Sequence, residues 1–255
     1  MSNRKMIQGV CRLCKKHTEL SYEHIPPKSA FNRNTKFISV SIIEYLKNSD
    51  VDDCKLNAKI QQGGVGYYCL CQQCNNFLGR YYVRSYQTMA SIFVPLLKDK
   101  DFSKISIKIE NISHLKFFKQ IVSMFVCINS SDFTNNRKEL LQFIKDPNEN
   151  KFPDDVRIYM YLNMEGQLRN LGLMYSSQYG LVSELTFPPF GFVLSLSPNI
   201  DLPLTDITSL KDFSLDFQGD VVYELQKLKT YLPIPVDYRS RLEIDECIKN
   251  SSIDI

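Results

Sequence analysis

Two CxxC pairs constrain this chain more than any other feature. Cys11 and Cys14 stand in CRLC, Cys71 and Cys74 in CQQC, and 56 residues separate the pairs. Each turn can place two sulfurs on one ion, and four thiolates close a tetrahedral structural zinc site. The chain must then fold back until the two turns meet. The separation exceeds that of compact zinc ribbons, and Cys69 and His17 stand nearby as alternative ligands. The other cysteines, Cys54, Cys69, Cys127 and Cys247, show no regular spacing and read as small hydrophobes. The charged N-terminus is not followed by an apolar run of signal-peptide length, and paired CxxC in that setting favours metal over disulfide. A cytoplasmic protein is the expectation.

Charge divides the chain. Residues 1–90 carry thirteen Lys or Arg against six Asp or Glu, a net +7, whereas the remainder carries −4. The cysteine pairs lie in the basic part, and a basic surface around a metal centre attracts a polyanion, with nucleic acid the leading candidate. At 255 residues and 44% hydrophobic content there is enough chain for one large domain or two modest ones. No window approaches the eighteen consecutive apolar residues of a membrane span.

Patterning predicts an α+β fold. A zinc knuckle at Lys5–Thr18 precedes a loosely alternating strand over Leu20–Ile25, stopped by Pro26-Pro27, which remove two backbone donors and fix φ. Residues 32–60 read as an insertion, with a short strand at Phe37–Val40 and a helix at Ile42–Lys47. After the glycine-rich turn QQGGVG, Tyr67–Leu70 fits the second strand of a hairpin. From Gln72 one long helix is expected, because Leu78, Tyr82, Tyr86, Met89, Phe93 and Leu97 recur at intervals of three or four. Asn76, Arg80 and Arg84 fall four apart on another face. Gly79 costs about 1 kcal/mol against alanine there, suggesting close approach by something.

From Asp99 onward the pattern predicts a second, α+β domain. It comprises a strand at Ile105–Ile109, a helix at Leu115–Ile128 apolar nearly all round and hence buried, and a helix at Asn135–Lys145. An antiparallel meander over Val156–Leu196 follows, then a strand or helix at Val221–Tyr231 and a short C-terminal helix. The expected boundaries are 1–98 and 99–255, the second part serving recognition, a partner or regulation.

The order CxxC, then Glu23-His24-Ile25-Pro26-Pro27-Lys28, then CxxC followed by Asn75-Asn76 and Gly79 resembles the HNH endonuclease superfamily over roughly residues 7–90. The resemblance implies a ββα-metal module stapled by zinc, with Glu23 and Asn75 as ligands of a catalytic ion and His24 as general base. Phosphodiester hydrolysis suits these residue types. Histidine ordinarily titrates near neutrality and can take a proton from water, while a divalent ion neutralises charge on the phosphate and leaving oxygens. Two hard oxygen ligands, one of them charged, suit Mg²⁺ or Mn²⁺ better than a second zinc. On a regular strand, however, Glu23 and His24 point to opposite faces.

Lys28, Arg33, Arg80 and Arg84 are the candidate phosphate contacts. The implied activity is metal-dependent cleavage of nucleic acid, DNA before RNA, in the layout of a restriction or phage-defence effector, with a protein partner for the C-terminal part. The other class is a zinc-stapled binding subunit whose centre does not cut. The sequence departs from the family in one place. Where an Asn bracing the histidine loop is expected shortly before the second CxxC, it reads QQGGVGYY, leaving Gln61, Gln62 or Asn57 for that task.

Overall fold

The computed structural model describes residues 6–39, 59–98, 101–163, 168–197 and 199–232. Strands β1 (Ile7–Val10), β2 (His17–His24) and β5 (Gly66–Leu70) form an antiparallel sheet in the order β1-β2-β5, while β3 (Phe37–Ser39) and β4 (Lys59–Gln61) pair as a separate ribbon. Helix α1 (Gln72–Tyr81) follows β5 directly and α2 (Val83–Phe93) follows α1, ending in a 3₁₀ turn over Val94–Lys98 that contains Pro95. The helix expected at Ile42–Lys47 and the C-terminal helix lie outside the described residues.

The single helix expected from Gln72 is two helices. Tyr82, at φ −120° and ψ −34°, separates them. Its ring is buried and its hydroxyl donates to the Ile144 carbonyl at 2.6 Å. The three-to-four spacing persists across the break because both helices bury the same side: Leu78 on α1, then Tyr86, Met89 and Phe93 on α2.

Beyond β6 (Lys104–Ile109), helix α3 (His114–Ile128) is buried on nearly every side, as its all-round apolar sequence predicts. Ser113 caps it, accepting a hydrogen bond from the Lys116 amide. Helix α4 (Lys138–Lys145) begins later than expected, after a 3₁₀ turn at Ser131–Thr134.

Strands β7 (Arg157–Asn163), β8 (Arg169–Ser176), β9 (Gly180–Phe187), β10 (Phe190–Ser195), β11 (Thr205–Asp206) and β12 (Val221–Leu228) join β6 in one sheet of order β6-β12-β7-β10-β9-β8, with β11 also on β7. Only β8, β9 and β10 form a meander. Strand β7 lies beside β10, and β12 pairs with β7 in parallel, so the sheet is mixed. Alternation explains its double burial: Ile158, Met160 and Leu162 enter the core shared with the helices, while Tyr159 and Tyr161 enter a second cluster with Val193, Leu228 and Tyr231.

The basic and acidic stretches meet through that shared core, which runs without interruption from Cys11 to Leu225. Tyr86 of α2 stacks on Phe117 of α3 at 5.7 Å between centroids. The Arg12 guanidinium donates to the Cys127 carbonyl, and the Lys15 ammonium to the Ser131 carbonyl at 2.7 Å and the Thr134 hydroxyl. The first CxxC turn is thereby fastened to the C-terminal end of α3. Among the described residues no helix is long and apolar enough to cross a membrane.

Candidate metal centre and cleft

The fold brings the two CxxC turns together. The sulfurs of Cys11, Cys14, Cys71 and Cys74 all lie within 4.8 Å of one another, with Cys14 and Cys71 at 3.9 Å. Zinc–sulfur bonds of about 2.3 Å set the edges of a tetrahedron near 3.8 Å, so the cluster fits zinc. The first turn is closed by the Cys11 amide on the Lys16 carbonyl and the Lys15 amide on the Cys11 carbonyl, with Lys15 at φ 64°. The Arg12 amide, donating to the Cys69 carbonyl at 2.9 Å, ties it to β5. Cys71 is the N-cap of α1 and Cys74 lies in its first turn.

A hydrogen bond from Cys74 pushes the Cys11 thiol down to about 4, and the same contact pushes Cys74 up. One sulfur is thus poised as the thiolate that ligates metal. The alternative ligands stand apart: His17 is exposed, and Cys69 is buried against Cys127.

A cleft of about 470 Å³ opens at the end of β2, lined by Tyr22, Glu23, His24, Pro27, Lys28, Ser29, Arg33, Asn75 and Val83. His24 pairs with Gly66 and Glu23 with Tyr67 across the hairpin. Glu23 is only 6% exposed and His24 is half-buried, so the two alternate as a strand requires. Both nevertheless line the cleft, because it wraps the strand end where the chain turns at Pro26. His24 Nε2 lies 3.0 Å from the Gly63 carbonyl. A carbonyl only accepts, so Nε2 is the donor in this contact, and in the neutral ring the lone pair lies on Nδ1.

Asn75, one turn into α1, donates from its amide to Ser21 Oγ at 3.1 Å and to the Tyr22 carbonyl at 3.4 Å. Its carbonyl oxygen accepts no hydrogen bond among the described residues. Burial raises the Glu23 carboxyl to about 8. Among the described residues nothing donates a hydrogen bond or an ion pair to it.

Asn32, the first residue of the expected insertion, braces the loop after His24. It is 0% exposed; its amide donates to the Pro26 carbonyl at 2.7 Å and to the Val65 carbonyl at 2.8 Å, while its oxygen accepts from the Val65 amide at 2.8 Å. These bonds clamp the loop after His24 to the turn before β5. Gln62 is exposed, and Asn57 lies outside the described residues. Gly64 stands where an Asn was expected for a steric reason. At φ +99°, a Cβ there would lie 2.1 Å from the Asn32 carbonyl and 2.7 Å from the His24 ring. The signal in the sequence was a second Asn within reach of Pro-Pro, displaced to the other side of the insertion.

Lys28 and Arg33 line the cleft, whereas Arg80 and Arg84 are exposed on successive helices and lie outside its lining. A Cβ on Gly79 would meet nothing within 4 Å, so no part of the described fold requires that glycine. His114 is a buried structural residue between the Tyr223 hydroxyl at 2.8 Å and the Gly219 carbonyl at 3.1 Å. Comparison with known proteins finds no matching family model, no similar curated protein and no similar solved structure.

Proposed function

We propose that the chain is a metal-dependent endonuclease of HNH type, hydrolysing phosphodiester bonds in nucleic acid at the cleft of Glu23, His24 and Asn75. One observation carries this reading: a buried carboxylate, a histidine Nδ1 and an asparagine carbonyl oxygen, none of them with a hydrogen-bond partner among the described residues, belong to side chains that line one cleft. A buried carboxylate normally finds a cation or a donor; here Glu23 and Asn75 line the same cleft, and an ion held between their oxygens would supply that partner.

Glu23 and Asn75 would hold Mg²⁺ or Mn²⁺, which neutralises charge on the phosphate and on the leaving 3′ oxygen. His24 Nδ1 accepts a proton from water as the water oxygen bonds to phosphorus and the bond to the 3′ oxygen breaks. The Gly63 carbonyl fixes the ring so that Nδ1 faces the substrate. Asn32 holds that carbonyl's loop in place, and Lys28 and Arg33 meet the phosphates. The setting in restriction or phage defence rests on module layout alone.

Zinc-loaded protein assayed with Mg²⁺ and with Mn²⁺ on plasmid DNA, single-stranded DNA and RNA is expected to cut. His24→Ala is expected to lower the rate by about 10²-fold or more with zinc content unchanged. If the fully zinc-loaded wild type cuts none of these, the centre is non-catalytic and the basic face serves binding.

A further inference from the structure

The surface beside His24 is aromatic as well as basic, which bears on the form of nucleic acid the site accepts; this inference rests on the reading of the cleft given above. Tyr22 and Tyr68 are register partners across β2 and β5, and Tyr22 shares its strand face with His24. The three rings form a row: His24 to Tyr22 at 5.1 Å and 84°, then Tyr22 to Tyr68 at 5.2 Å and 71°. Its middle is pinned, because the Tyr22 hydroxyl donates to the Gly64 carbonyl at 3.0 Å. Its outer end is open, with Tyr68 46% exposed.

The loop after Pro27, whose Lys28, Ser29 and Arg33 line the cleft, carries Phe31 just outside that lining, 50% exposed and held at φ 69°, a left-handed conformation that is an outlier for a bulky side chain. Such strain clusters at ligand sites. Lys28 and Arg33 flank it in sequence and line the cleft.

A duplex offers a protein its phosphates and groove edges, and its base faces are hidden in the stack. Exposed rings interleaved with cations therefore match a strand whose base faces are free. We propose that the cleft takes an unpaired nucleic-acid strand, its bases stacking on Tyr68 and Phe31 and its phosphates meeting Lys28 and Arg33, so that the backbone is delivered to His24.

The test is fluorescence polarisation at fixed salt, using full-length zinc-loaded His24→Ala protein without added Mg²⁺, against labelled oligothymidylate, oligouridylate and a short duplex. The unpaired strands are expected to bind about tenfold more tightly than the duplex. Tyr68→Ala and Phe31→Ala should each weaken that binding about tenfold while leaving the duplex unchanged, and Tyr68→Trp should retain it. Zinc content and far-UV circular dichroism check that each variant is folded.

Equal or tighter duplex binding, or full strand affinity in folded Tyr68→Ala, overturns the proposal. Cleavage by the wild type with Mn²⁺ separates the two readings. Duplex cut with single strands spared removes the unpaired-strand proposal and leaves the nuclease; tyrosine-dependent strand binding without any cleavage does the reverse.

Discussion

Glu23 and Glu184 are both buried carboxylates on β-strands, and the fold treats them in opposite ways. Glu184 is 0% exposed and fully engaged. It pairs with Arg169 at 2.7 Å and accepts from the Tyr161 hydroxyl at 2.6 Å and from the backbone amides of Tyr231 and Leu232. Glu23 is nearly as buried, yet its carboxylate makes no ion pair among the described residues, although Lys28 and Arg33 line the same cleft. In the acidic half, Glu184 draws a cation and three donors from its own chain. The basic half instead holds four thiols close enough to share one metal ion and a carboxylate left without a donor among the described residues.

Four measurements would break or sharpen that contrast. The largest effect should come from the sulfur cluster. Cys74→Ser is expected to lower zinc from one per chain to none and the melting temperature by about 10 °C or more, read by metal analysis and calorimetry. Next is Glu184→Gln, which removes the charged member of the buried Arg169–Glu184 pair. It should cost about 3–5 kcal/mol in denaturant unfolding while leaving zinc content and the cleft's divalent-ion response intact. A neutral result there would mean that the two carboxylates differ less than their surroundings indicate.

Asn32→Ala removes partners from two carbonyls and one amide. A loss of about 2 kcal/mol is expected, with cleavage lowered more than tenfold and zinc retained. Full activity in this variant would show that the loop holds His24 without the brace.

The smallest effect is a pH dependence confined to the basic half. With its carboxyl held up at about 8, Glu23 binds a proton more tightly in the folded chain than in the unfolded one. Its contribution is therefore fully present below about pH 4 and is lost as pH rises through about 8. Between about pH 5 and pH 8.5 the zinc-loaded wild type should lose a few °C of melting temperature relative to Glu23→Gln, and Mn²⁺ should narrow the gap. Parallel profiles for the two proteins would show that Glu23 is already neutralised by the chain.

Much of the site was legible in the order of residues. The two CxxC turns meet although their separation exceeds that of compact zinc ribbons, and Glu23, His24, Lys28 and Asn75 line one cleft. The elements that carry them, β2, β5 and α1, follow from Pro-Pro, the glycine turn and three-to-four periodicity. The expected obstacle, that neighbouring strand residues face opposite ways, is met by the shape of the cleft, which wraps the strand end. Arg80 and Arg84, expected on one helix, are exposed on two, because Tyr82 breaks the helix between them.

What the sequence determined by itself was local: alternation in β2 and β7, all-round apolarity in α3, and thiols paired at metal-binding spacing. Each is a property of near neighbours, and backbone geometry converts it directly into a strand face, a buried helix or a two-sulfur turn. Tertiary structure decided which partners lay far away. Asn32 became the brace, β7 settled beside β10, and Glu184 gathered Arg169 and the Tyr231 amide. Those choices depend on where the chain reverses, and a hydrogen bond spanning 33 residues, as from Asn32 to Val65, leaves no period in the sequence that joins its ends.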